Sequence, residues 1–225
     1  DEVIERLAKM KCAAEDFRIF WDNAYAVHEL YAEGGPVLAD IFAACERYGN
    51  VNRVLYFAST SKISFPGAGV AIFAASEENM KQIKSVMTIQ TIGADKLNQL
   101  RHLAFFGTCE NMYSHMQKLG SVIKEKFDIT LGNLASLLGL GIAHWTEPRG
   151  GYFVSLDVLP GTARRVYELM KGAGVVLTPP GATHPYGRDP EDKTLRIAPT
   201  YPSNAELDVA TKILALSVKI AALEK

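Results

Sequence analysis

The sequence predicts an α/β fold, and three observations carry that expectation. Short aromatic and β-branched runs at 17–21, 53–57 and 70–74 flank a helical stretch, the strand, helix, strand alternation of an α/β layer. Residues 77–138 then read as mainly helical, with no proline between Pro66 and Pro148 to interrupt them. Beyond Pro148 strand and helix patterns alternate again.

The elements follow in order. Asp1 opens, without an initiator methionine, directly into a helical pattern of Ile4, Leu7, Ala8 and Lys11, so the chain is expected to begin inside a domain. Phe17–Trp21 reads as a buried strand that ends at Asp22, followed by a helix from about Pro36 to Tyr48. Second and third strands are expected at Arg53–Phe57 and Val70–Ala74. The proline-free middle permits at least one long connecting helix, and a domain change is expected near residue 110, giving domains 1–110 and 111–225. The second domain should hold a strand at Tyr152–Leu156, a helix at Thr162–Lys171 and a strand at Val175–Leu177. A loop rich in Pro and Gly follows over 179–190, then a strand at Leu195–Ala198. Ser203 and Glu206 form the S-x-x-E capping box of a last helix, whose packing face is Leu207, Ala210, Ile213, Leu214 and Ser217.

Charge and motif content exclude several function classes. With 24 Lys+Arg against 25 Asp+Glu there is no global basic field to hold nucleic acid or an anionic membrane. Cys12, Cys45 and Cys109 are odd in number and lack CxxC spacing, which argues for a reducing compartment over a disulfide framework or a zinc site. No apolar run approaches the roughly 20 residues of a membrane span and no signal peptide is legible, so a cytoplasmic protein is expected. The five histidines, His28, His102, His115, His144 and His184, show no metal-ligand spacing and read as ordinary polar or core residues, so no metal is expected. Neither a G-x-S-x-G elbow nor a Walker sequence is present, and Gly67-Ala68-Gly69 leads into a strand, unlike a dinucleotide fingerprint.

Chemistry concentrates in two segments, Asp22-Asn23-Ala24-Tyr25 after the first strand and Ser59-Thr60-Ser61-Lys62 after the second. Both fall at the carboxyl ends of strands, where open α/β sheets bind ligands. A lysine that forms a Schiff base must offer an unprotonated amine, which desolvation near a buried strand end favours. Each residue also has a plainer role: lysines are mostly solvated, Asp22 suits an Asx turn, Tyr25 suits a core, and Ser59 and Ser61 suit a loop. Arg196, inside an apolar strand, must be paired, either with a ligand carboxylate through a bidentate clamp or with an internal acid.

Together with Pro148-Arg149-Gly150-Gly151-Tyr152-Phe153 and Leu195-Arg196-Ile197-Ala198-Pro199, these segments make the chain resemble the fold-type I pyridoxal-phosphate (PLP) aminotransferases, in the branch of MocR-type and aspartate aminotransferase-like proteins. The resemblance implies part of a large domain on a mainly parallel sheet, followed by a smaller α+β domain, in a homodimer. By it Lys62 holds PLP as a Schiff base and moves the proton at the substrate α-carbon. Asp22 faces the pyridine nitrogen, Tyr25 the ring oxygen, Ser59 and Ser61 the phosphate, and Arg196 the substrate carboxylate. The implied reaction moves an amino group from an amino acid, with aspartate suggested by the family, to a 2-oxo acid. A PLP lyase or decarboxylase, or the effector domain of a MocR-type regulator, would use the same residues. Arg149, His184, Tyr186 and Arg188 could line the pocket or belong to a solvated loop.

Two departures are visible. Many relatives carry a phosphate-binding arginine where this chain has Gly69. The family's N-terminal half, with its glycine-containing phosphate loop, stacking aromatic and N-P-x-G asparagine, has no counterpart among the 225 residues, so the chain is expected to be a C-terminal half and a poor enzyme alone.

Overall fold

The computed structural model describes residues 1–31 and 38–225. These form two compact units: the first holds described residues 1–28 and 38–116, the second 29–31 and 117–225. The sequence expectation of a change near 110 and the observed division at 116/117 both fall on one long helix.

In the first unit, helix α1 (Glu2–Lys9) buries Ile4 and Ala8, one turn apart, against Ile41, Ala44 and Cys45 of α2 (Ile41–Arg47). α2 was expected from about Pro36; residues 36 and 37 lie outside the described residues, and the helix starts at Ile41. The reason is local: the Asp40 carboxylate accepts from the Phe42 and Ala43 N–H groups, at 2.8 and 3.3 Å, and caps the helix there. Strand β1 (Ile19–Asp22) runs parallel to β2 (Val54–Ser59), which pairs antiparallel with β3 (Ala71–Ala75). Val54 and Tyr56 point at the two helices, and Trp21 joins them. Period-two alternation sends Leu55 and Phe57 to the other face. There Phe57 stacks on Phe20 at 5.5 Å and packs at a tilt against Phe73 at 5.0 Å, beside an open groove of about 980 Å³.

The helical middle comprises α3 (Glu77–Gln90), α4 (Lys96–Phe106) and α5 (Cys109–Leu134). Ser76 and Asp95 cap the first two by accepting from Asn79 and Asn98 N–H groups. Gly107, at φ 70°, ends α4, a left-handed conformation that glycine adopts at little cost. The long helix expected here is α5, of 26 residues.

The second unit carries the antiparallel strands β4 (Ala143–Trp145), β5 (Val154–Val158) and β6 (Thr194–Ile197) in that order. Val154, Leu156, Val158, Leu195 and Ile197 form one buried face, covered by α5 and by α6 (Ala163–Gly172) and α7 (Asn204–Leu223). The capping box of α7 forms as expected, Ser203 and Glu206 each bonding the other's backbone N–H. Its buried face is centred on Leu207, Thr211, Leu214, Val218 and Ala221, with the expected Ala210 and Ile213 only at its margin. No strand forms at 175–177: the Val175 N–H is taken by the Met170 carbonyl, which closes α6, and no ladder partner is found among the described residues. β4 was not expected, because three residues are too short to display a period.

Candidate active site

Asp22 is the last residue of β1 and sits opposite Phe57 of β2. The Asn23 N–H continues the pairing by donating to the Phe57 carbonyl at 2.8 Å, while the Asn23 amide donates to the Tyr56 hydroxyl at 2.6 Å. Asp22 Oδ1 accepts from the Ala24 N–H at 3.2 Å, so its carboxylate does shape the turn after the strand. That turn delivers Tyr25, whose ring meets His28 edge-on at 5.1 Å and lies 4.8 Å beneath the Lys62 amine. Two segments 40 positions apart are thereby brought together at the carboxyl edge of a parallel strand pair.

Lys62 is carried by a tight turn just beyond β2. The Thr60 carbonyl accepts from the Ile63 and Ser64 N–H groups, at 2.9 and 3.0 Å. Thr60 is also tied to the start of β3, its N–H donating to the Val70 carbonyl and its hydroxyl accepting from the Val70 N–H, both at 2.9 Å. The Ser59 and Ser61 hydroxyls lie 2.8 Å apart. Gly69 passes close beneath them: a Cβ there would stand 3.1 Å from the Ser61 nitrogen and 3.2 Å from its Cα. Any side chain at 69 therefore presses on the Ser61 backbone, which is the physical cost of an arginine at this place. The desolvation looked for around Lys62 and Asp22 is not supplied by the described residues, for both side chains are exposed.

Three of the histidines read as ordinary residues converge on the lysine turn. His28 Nε2 lies 3.1 Å from the Lys62 carbonyl, His115 Nε2 lies 3.0 Å from the Ile63 carbonyl, and His102 Nε2 contacts the Thr60 and Ser64 hydroxyls at 2.8 and 2.5 Å. Burial pushes the His28 imidazole below its ordinary 6.5, the Lys62 and Tyr25 carbonyls, which favour a protonated ring, oppose this, and the Lys62 charge adds to the lowering. No sequence spacing announces the group, since the contacts span 34 to 52 positions.

In the second unit Arg196 stands at the centre of β6. Its guanidinium carbon lies 4.7 Å over the Phe153 ring and Nη2 donates to the Thr178 hydroxyl at 3.3 Å. Among the described residues no carboxylate pairs with it, and its buried Nε has no hydrogen-bond partner. The internal acid is thus not found, and an acceptor is wanted. Ahead of β6, burial alone would raise the Asp189 carboxyl, but N–H donors from Thr194, Lys193 and Glu191 hold it below the usual range and fix the loop. His184 Nε2 lies 3.7 Å from Asp189, whereas Tyr186 projects almost fully into solvent. Arg149 is exposed and stacks 5.1 Å over Tyr31.

The fold is that of the α/β aminotransferases of fold type I. A crystal structure of an aspartate transaminase from Corynebacterium glutamicum superposes on the whole chain with a TM-score of 0.94 and 47% identity, the chain covering 53% of it. The kynurenine aminotransferase of Pyrococcus horikoshii, solved with PMP, shares the fold over 97% of this chain and 51% of its own, with a TM-score of 0.77 and 21% identity. In sequence, an aspartate aminotransferase of C. glutamicum is 48% identical over 225 residues, 100% of this chain and 52% of its own length. The family model described as aspartate amino-transferase matches residues 1–225, and the chain belongs to that family. The chain spans about half the length of the curated relatives it matches.

Proposed function

We propose that this chain is the lysine-bearing part of a PLP-dependent aminotransferase, with residues 1–110 from its large domain and 111–225 as its small domain. The observation that carries the proposal is the Lys62 amine held 4.8 Å over the Tyr25 ring, where the ends of β1 and β2 also present Asp22, Ser59 and Ser61. An amine, a phenol, a carboxylate and a hydroxyl pair in one unit fit the donor needs of pyridoxal 5'-phosphate. When bound, the cofactor supplies the electron sink for chemistry at the α-carbon of an amino acid.

The residues then have separate tasks. Lys62 would be the residue that holds the cofactor through its amine, and the same amine could take and return a proton at the substrate α-carbon. The Asp22 carboxylate would favour a protonated pyridine nitrogen, Tyr25 would offer its hydroxyl to the ring oxygen, and Ser59 and Ser61 would offer theirs to the phosphate. Arg196, with its buried Nε lacking an acceptor, binds the substrate carboxylate. With glycine at 69, either groups elsewhere balance the phosphate charge or the cofactor binds more weakly than in relatives with arginine there. The substrates proposed are an amino acid, aspartate first, and a 2-oxo acid, in a cytoplasmic homodimer. Among the described residues no helix is long and apolar enough to cross a membrane.

The test is amino-group transfer from aspartate to 2-oxoglutarate by the protein expressed from its native gene. Oxaloacetate and glutamate are expected in equal amounts, and Lys62→Ala should lower the rate by roughly 10²–10⁴-fold, the range of a positioned acid–base group. Product without glutamate, or equal rates in the variant, contradicts the proposal.

A further inference from the structure

We propose that His102 is a positioning residue for Lys62: from α4 it locks the turn that carries the lysine and so sets where the amine stands. The inference rests on the cofactor reading above but is carried by a separate observation. Thr60 and Ser64 bracket Lys62 at two positions before and two after, and one imidazole nitrogen, His102 Nε2, binds both hydroxyls, at 2.8 and 2.5 Å.

The direction of these bonds follows from the ring's other nitrogen. His102 Nδ1 lies 2.7 Å from the Asn98 carbonyl, an oxygen that can only accept, so Nδ1 carries the proton. In the neutral ring Nε2 is then an acceptor, and both hydroxyls can satisfy it. The Thr60 oxygen already accepts from the Val70 N–H at 2.9 Å, which leaves its own proton to give to His102. Ser64 divides its proton between Nε2 and the Thr60 carbonyl at 3.2 Å. The ring itself is buried and fixed by neighbours, edge-on to Phe65 at 5.8 Å and tilted against Phe106 at 6.3 Å.

The other two histidines complete the grip. His28 donates from Nε2 to the Lys62 carbonyl and His115 from Nε2 to the Ile63 carbonyl, so the turn is held at four of the five residues from Thr60 to Ser64. The lysine turn is neither helix nor strand, and its geometry comes from imidazoles on α4, α5 and the segment after β1. Loosening His102 frees both flanks of Lys62, and the amine loses its fixed place over Tyr25.

The experiment uses the protein from its native gene and the variants His102→Ala, Ser64→Ala and His102→Gln. Two quantities are read: hydrogen exchange of the peptide spanning 60–70 without cofactor, and the rate at which PLP attaches to Lys62, trapped with borohydride. In His102→Ala and Ser64→Ala, exchange should rise about tenfold, the loss of roughly one hydrogen bond, and attachment should slow in protein that remains folded. His102→Gln, whose amide oxygen can accept in place of Nε2, should restore both to within about threefold. Should His102→Ala fail to fold, Ser64→Ala decides alone. Parent-like exchange and attachment in a folded Ser64→Ala or His102→Ala overturns the proposal. Absence of any adduct on Lys62 in the parent protein overturns the cofactor reading and with it the role given to His102, whatever the exchange shows.

Discussion

At the scale of single residues, His28 links the lysine turn to pH. Its folded value lies below 6.5 through burial, so the folded state favours the neutral ring. The unfolded chain binds the proton more readily, and stability must rise with pH across that interval. The contribution is fully present above 6.5 and is lost as pH falls from there through the lower folded value. Urea unfolding from pH 5 to 7.5 should show this slope in the parent and a shallower one in His28→Gln; parallel slopes contradict the account. Gly69→Ala probes the neighbouring contact. Its Cβ, 3.1 Å from the Ser61 nitrogen, should cost about 1–3 kcal/mol by overpacking, read as a lower urea midpoint. An unchanged midpoint would mean that the Ser61 backbone gives way freely. Lys62, Asp22, Tyr25 and Arg196 could be singled out as candidates because their residue types at strand ends and inside an apolar strand demand partners. The histidines could not, because their acceptors are mostly backbone carbonyls, which leave no mark in a sequence.

At the scale of elements, local chemistry set what could be read. The α7 capping box was visible as S-x-x-E and forms, so Ser203→Ala should cost about 1 kcal/mol, measured by thermal or urea unfolding. A cost near zero would mean that tertiary packing alone holds the start of that helix. The first turn of α2 was misjudged because Pro36 looked like a helix start, while the Asp40 carboxylate is what captures the first N–H groups. Val175–Leu177 has strand-like residues, yet a strand needs a ladder partner, and the Val175 N–H is spent on closing α6. β4 shows the converse, for its pairing with β5 makes a strand of three residues that no periodicity marks.

At the scale of the whole molecule, the proposed cofactor donors Lys62, Asp22, Tyr25, Ser59 and Ser61 all belong to the first unit, and the proposed carboxylate clamp Arg196 belongs to the second. The α/β class was legible from alternating strands and helices and the family from four short segments in order, because each segment ends or begins a regular element. The extent of the division inside α5 was not, since a continuous helix carries no local signal of which residues pack on which core. The most direct measurement is to load the protein from its native gene with PLP, reduce with borohydride and map the modified peptide by mass spectrometry. A phosphopyridoxyl group on Lys62, lost in Lys62→Ala, is the predicted result; a folded protein with no label there, or with the label on another lysine, would contradict the account.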